Sequence, residues 1–330
     1  MKPLLVNSAK LFLSILLFLL LVSGCSIPDT NPLSRVNFSS SGVYAADIHA
    51  QKKLGVFSEV SGEIKVFDLN SGVEKYSWRH QGDGLNLVDN VKFSKDGDYV
   101  VTSDSEAFAI WSIANGEPLG FWRIDESTIR DIAVADKGRA VLIGRANGSV
   151  MFFEPQTQRR LEFIGHEEKI NSVDLSANGR YALTGSNDYK AYLWDTQSGQ
   201  IIHVFDHPHR VTQVLIDQNA KYLFTADGQD KAQIWDAQSG QEVSRLHFIE
   251  RQLIFTAAHF SSDSTHLLTG SPSKRLAMWE VSSGKMIQEW RVAPSDGPAP
   301  QSAVVYAVDF IDSIPVSISS SGNFERWSLD

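Results

Sequence analysis

The stretch GHEEKINSVDLSANGRYALTGSNDYKAYLWD, residues 165–195, contains three strand-length runs, INSVDLS, RYALTGS and YKAYLWD, parted by turn residues. A fourth run, QIIHVFDH, follows directly. Apolar residues alternate or cluster over a few positions in each run, as strands buried on one or both faces require. Asn178-Gly179 and Ser198-Gly199 sit between runs, where a tight turn needs a residue that tolerates positive φ.

Moving outward, the aromatic of Trp194-Asp195 recurs in phase. Phe67-Asp68, Trp111-Ser112, Phe153-Glu154, Trp235-Asp236, Trp279-Glu280 and Trp327-Ser328 complete the series, at intervals of 44, 42, 41, 41, 44 and 48 residues. Glycine stands five positions after the aromatic at Gly72, Gly116, Gly199, Gly240 and Gly284, in LNSG, IANG, TQSG, AQSG and VSSG; the third unit has Gln158 there. Helical periodicity is absent after residue 24. Four strands in a period of about 40–45 residues is the arithmetic of a propeller blade. A large sandwich or a β-helix does not account for seven in-phase units of this length. The expected fold is all-β, a seven-bladed β-propeller of four-stranded antiparallel blades.

Residues 165–195 resemble a WD repeat. In that family four residues form a hydrogen-bonded tetrad within a blade, and the matching positions are His166, Thr184, Asp188 and Trp194. The residue types make sense together. A buried indole N–H needs an acceptor, a hydroxyl can accept and donate onward, and a carboxylate can fix the imidazole. The tetrad is expected to be structural. In the fifth unit the resemblance puts His207, Thr225, Trp235 and, one place out of step, Asp230 in these roles. Phe67 and Phe153 lack the indole N–H, so the first and third blades must rely on apolar packing. The resemblance extends over residues 34–330.

A ring of blades must fasten its ends or leave an open sheet edge. Only three residues follow Trp327, so the seventh unit lacks its last strand. LSRVNFSS, 33–40, is similar to the fourth strands EKYSWR, PLGFWR, IIHVFD and MIQEWR. The N-terminal strand is therefore expected to complete the last blade.

Ahead of the repeats, Lys2 and Lys10 precede LFLSILLFLLLV, Leu11 to Val22, and then Ser23, Gly24, Cys25 and Ser26. The apolar run is short of the roughly 20 residues that span a bilayer. A charged start followed by a short apolar run has the layout of a secretory signal. VSGCS resembles a bacterial lipoprotein lipobox. The resemblance implies a signal peptide over 1–24, cut before Cys25, and acylation of Cys25. Residues 25–33 then form the lipidated cysteine and an extended tether rich in proline and polar residues. Ser26 in place of Asp implies the outer membrane, facing the periplasm, in a Gram-negative source. Two or more acyl chains would anchor the protein stably without spanning.

Composition limits the partners. The chain has 330 residues with 30 basic and 39 acidic side chains, a formal charge of −9. Such a balance argues against a nucleic-acid groove, which needs clustered cations to displace counterions from phosphates. With one cysteine, neither an intrachain disulfide nor a multi-cysteine zinc site can form.

No nucleophile elbow, phosphate loop or HExxH appears, and no cofactor is expected. HVFDHPHR offers His203, Asp206, His207, His209 and Arg210, a conceivable metal group, but His207 has the offset of a tetrad histidine and no further ligand can be assigned, so no metal is expected. The longest interval holds RVAPSDGPAPQSA, 291–303, a proline-rich loop with Asp296 and Pro298. By the resemblance, this loop and His207, His209 and Arg210 stand on the face where WD-repeat proteins often bind peptides. The leading expectation is a membrane-anchored, non-enzymatic scaffold binding an envelope protein or peptide through its loops. The alternative is an envelope enzyme or a binder of a small ligand or metal in the central channel, which convergent acids or histidines facing the axis would favour.

Overall fold

The computed structural model describes residues 31–80, 87–248, 253–295 and 301–329. Cys25, Asp296 and Pro298 lie outside them. Residues 31–330 form one compact unit. Its strands make seven four-stranded antiparallel sheets, and within each of the first six the order in space is the order in sequence. Blades one to six occupy 43–78, 90–123, 129–163, 170–206, 211–245 and 257–291, and blade seven takes 305–326. The first strands of neighbouring blades touch all the way round, blade seven meeting blade one. Among the described residues the one helical element is a 3₁₀ turn at Asp136–Gly138.

Seven apolar clusters among the described residues lie at the seven seams, each drawing side chains from two adjacent blades and none confined to one. A blade is a thin sheet and can bury both faces only against its neighbours. The repeating aromatic supplies the seam. It packs on an aromatic from the end of the preceding blade: Phe38 on Phe67 at 4.7 Å, Trp78 on Trp111 at 4.8 Å, Trp122 on Phe153 at 5.5 Å. Phe163 on Trp194 and Phe205 on Trp235 both lie at 4.6 Å, Phe248 on Trp279 at 6.3 Å, and Trp290 on Trp327 at 6.2 Å. The period of about 40 residues thus marks a contact between blades.

The ring closes as the sequence predicts. Ser34–Asn37 pairs with Asn323–Arg326 as the fourth strand of blade seven. Beyond the ladder, Arg35 Nε donates to Glu325 Oε1 at 2.7 Å and Asn37 Nδ2 to Asn323 Oδ1 at 2.9 Å. Phe38 then carries the chain into the seam between blades seven and one.

Two register shifts repeat around the ring. One interrupts the first strand at Tyr44, Arg130, Asn171, Thr212 and Tyr306. The other precedes the aromatic at Phe67, Trp111, Trp194, Trp235 and Trp279. A bulge re-aims side chains and bends the strand, and the first set recurs near the start of the first strand in five blades.

Candidate functional site

The tetrads form unevenly. In blade two His80 Nδ1 lies 3.2 Å from Asp104 Oδ2, His80 Nε2 lies 2.7 Å from Thr102 Oγ1, and Trp111 Nε1 donates to Thr102 Oγ1 at 2.8 Å. All four members interact. Sequence reading missed His80 because it stands 22 positions before its threonine, whereas His166 and His207 stand 18 before theirs. The usable signal was its place just after the fourth-strand aromatic, as in SWRH and VFDH.

In blade four His166 Nδ1 lies 2.8 Å from Asp188 Oδ2 and Nε2 lies 2.9 Å from Thr184 Oγ1. Trp194 does not complete the set: its indole Nε1 is buried without a hydrogen-bond partner, and the ring is held by stacking on Phe163. The expected four-membered network is therefore three-membered there. In blade five His207 Nε2 lies 2.9 Å from Thr225 Oγ1, which also accepts the Trp235 N–H at 2.8 Å. The acid beside His207 is Asp227, at 3.8 Å, and not Asp230. Asp227 Oδ1 accepts the backbone N–H groups of Gln229, Asp230 and Lys231, so the turn folds around it and leaves Asp230 outside.

Burial works to raise the carboxyls of Asp104, Asp188 and Asp227, but the neighbouring imidazoles of His80, His166 and His207 and the turn N–H groups outweigh it and hold all three below the usual aspartate value. In blades two, four and five these sites fix the loop before the first strand to the turn after the second. His207 is buried. His209 is half-buried and Arg210 exposed in the same loop. No group of three or more His, Cys, Asp or Glu that could hold a metal occurs among the described residues.

The mouth on the tetrad side is ringed by the bulge positions. Tyr44 is 41% exposed, Arg130 is exposed, and Asn171, Thr212 and Tyr306 are half-buried. Burial, then the neighbouring Tyr44, raises the Tyr306 hydroxyl above the ordinary tyrosine value. Val60, Tyr189 and Ile164, 42%, 53% and 81% exposed, stand in turns and loops on this side. Aromatic, aliphatic and charged chemistry mix here, which is the composition of a protein-recognition surface.

Deeper along the axis the chemistry changes. Asp47, Asp131, Asp174 and Asp309 line a cavity of about 160 Å³ with Lys92, Lys95 and His259. Three of these acids bridge blades directly through backbone N–H groups: Phe93 N–H donates to Asp47 at 2.7 Å, Val173 N–H to Asp131 at 2.8 Å and Ile216 N–H to Asp174 at 2.7 Å. Asp309 accepts the Ala50 N–H at 2.9 Å, joining blade seven to the first turn of blade one. Burial raises Asp47 and Asp131 above the usual aspartate value, with Lys92 and the N–H groups opposing it. Burial also works to discharge Lys92, but Asp47, Asp131 and Asp174 outweigh it and hold it above the ordinary lysine value. Single polar residues on separate first strands gave no sequence signal, because their convergence requires the closed ring.

Residues 157–195 match the family model "WD domain, G-beta repeat". Among solved structures, a chain in "Crystal Structure of Mitotic Checkpoint Complex" superposes with a TM-score of 0.73 over 93% of this chain and 98% of that one, at 16% sequence identity. No curated protein sequence matches the chain significantly. The architecture is that of a seven-bladed β-propeller, with a WD repeat legible in blade four.

Proposed function

We propose that this propeller is a non-catalytic scaffold, acylated at Cys25, that holds a protein or peptide partner over the mouth of its ring at the outer membrane, facing the periplasm. The observation that carries the reading is the set of bulges near the start of five first strands, at Tyr44, Arg130, Asn171, Thr212 and Tyr306, where Tyr44 and Arg130 are exposed. Rigid blades below and variable side chains above is the arrangement by which a scaffold acquires specificity. The segment with His209 and Arg210 joins successive blades on this side, and the reading assigns the partner the proline-rich stretch 291–303 as well, whose Asp296 and Pro298 lie outside the described residues. The anchor rests on the sequence VSGCS and the short apolar run before it.

A photo-crosslinking residue at position 44 in the full chain tests the mouth. A crosslinked partner that disappears with Arg130→Glu and persists with Lys53→Glu, on the opposite side of the ring, supports it. Equal capture by both variants, or none by the parent, sinks it. Labelling with an alkynyl fatty acid tests the anchor: label lost in Cys25→Ala is expected, and an unlabelled parent refutes acylation.

A further inference from the structure

Five large apolar side chains stand exposed at one corner of the ring. Leu33 and Val73, 61% and 59% exposed, immediately precede the fourth strands of blades seven and one. Met286 and Ile287, 42% and 48% exposed, open the fourth strand of blade six. Leu329, 51% exposed, follows the third strand of blade seven. In an antiparallel blade the third strand ends where the fourth begins, so all five lie at the same end of their strands. Hydrogen bonds hold their surroundings together. The carbonyl of Ser328, next to Leu329, accepts from Gln288 Nε2 at 3.3 Å and Trp290 Nε1 at 3.1 Å in blade six. The Leu33 N–H donates to the Arg326 carbonyl at 2.7 Å, and Arg326 Nη2 donates to Asn70 Oδ1 at 2.9 Å in the turn before Val73. Three consecutive blades thus share one apolar corner. The exposed charges beside it are of opposite sign, Glu74 next to Lys75 and Glu280 across its turn from Lys285.

The N-terminal segment says what covers this corner. Leu33 follows Cys25 by 33 − 25 = 8 residues, and eight residues reach at most about 26–29 Å. A compact body of about 300 residues is roughly 50 Å across. An anchor at Cys25 therefore keeps this corner close to the bilayer and cannot bring the far side of the ring against it. Single exposed apolar residues are ordinary, whereas a contiguous group marks an interaction site. Five partly exposed side chains are a weak lipid contact for a free protein. A short tether raises the effective concentration to the order of millimolar, which is enough to keep a weak contact occupied.

We propose that this corner rests on the lipid surface, with Leu33, Val73, Met286, Ile287 and Leu329 entering the boundary between headgroups and acyl chains. The inference rests on the anchor proposed at Cys25 and adds an orientation to it. The turns between third and fourth strands lie against the bilayer in blades six, seven and one. The mouth, at the turns between second and third strands, then faces away from the membrane and is open to a partner from the aqueous side. Because the neighbouring charges balance, uncharged lipid suffices.

Acylation consumes the Cys25 thiol, so a thiol-reactive fluorophore on Ile287→Cys reports one place. The acylated full chain is reconstituted into phosphatidylcholine vesicles that carry a lipid spin-labelled near the headgroup. Ile202→Cys is the control: Ile202 is 40% exposed on the fourth strand of blade four, across the ring. Quenching at position 287 is expected to exceed that at 202 by about threefold or more, since an apolar face at a lipid interface sits about 5–10 Å into the headgroup boundary. Val73→Cys, in a different blade, is expected to behave as Ile287→Cys does, which guards against local damage at either site. Equal quenching at 202, or vesicle-bound protein with 287 and 73 both unquenched, would overturn the proposal. So would a fluorescence change at 287 that grows with protein concentration and ignores the spin-labelled lipid, because a second copy would then cover the corner. Uptake of the dye by the parent chain would reveal a free Cys25 thiol and refute the anchor and this inference together.

Discussion

Arg35 Nε and Glu325 Oε1, 290 positions apart in sequence, lie 2.7 Å apart across the strand pair that closes the ring. Glu325 is fully buried while the Arg35 side chain is 44% exposed. The backbone N–H of Ala293 also approaches the carboxylate, at 3.3 Å. Burial raises the Glu325 carboxyl above the usual glutamate value, and Arg35 pulls it back without cancelling the effect.

Arg35→Ala should therefore destabilise the propeller by roughly 2 kcal/mol, less than the about 3–5 kcal/mol of a fully buried broken pair because Arg35 is partly in water. The sign with pH follows from linkage. A carboxyl with a raised folded-state pKa binds its proton more readily folded than unfolded, so its contribution to stability grows as pH falls toward that pKa. Without Arg35 the pKa rises further, and the deficit of the variant is expected to shrink on acidification. Denaturant titrations of both proteins at neutral and mildly acidic pH measure this; a deficit that is constant or grows would contradict it.

Thr102 and Thr184 occupy the same place in blades two and four but carry different loads. Thr102 serves both His80 and Trp111, whereas Thr184 serves His166 alone. Replacing either by valine keeps the shape and strands its partners. Thr102→Val should cost more than Thr184→Val by about 1 kcal/mol, the worth of one net hydrogen bond. Equal losses in urea unfolding would mean that Trp194 bonds Thr184 in solution.

The depressed acids predict a different pH window. Asp104, Asp188 and Asp227 have folded-state values below the ordinary one. Their stabilisation is fully present above the unfolded aspartate pKa of about 3.9 and is lost as pH falls through the lower folded values. In Asp188→Asn the slope of stability against pH below about 4 should be shallower than in the parent. An unchanged slope, measured by thermal unfolding in a pH series, would remove Asp188 from the acid transition.

Gly72 and Gly284 share a left-handed backbone, with φ of +73° and +68°, and the same place in the repeat. A Cβ at Gly72 would touch nothing within 4 Å, but at Gly284 it would fall 1.9 Å from the carbonyl oxygen of Arg245 in the preceding blade. Gly72→Ala is thus expected to cost about 1–2 kcal/mol from backbone strain alone. Gly284→Ala should cost clearly more, since the seam itself must open. Similar melting temperatures for the two variants would refute the difference.

Much of the architecture is legible in the amino-acid sequence. The aromatic spacing, the turn glycines and the resemblance of LSRVNFSS to fourth strands are local patterns, and each survives in the ring that forms. The tetrads are legible only in part. His166, Thr184 and Asp188 meet as their offsets suggest, but the indole of Trp194 stays out of the network, and the folding of one turn puts Asp227 rather than Asp230 beside His207. His80 is hidden by a longer loop ahead of its strand.

The amino-acid sequence by itself determined the number of blades, their strand order and the segment that closes them. Those follow from periodicity and turn chemistry, which act over a few residues at a time. Only the tertiary structure decided that Lys92, Asp131 and Asp217 share one cavity and that Lys95 reaches across the axis to Ile216. Those relationships join blades separated by about 40 to more than 100 residues, and they exist only when all seven seams have closed around a common axis.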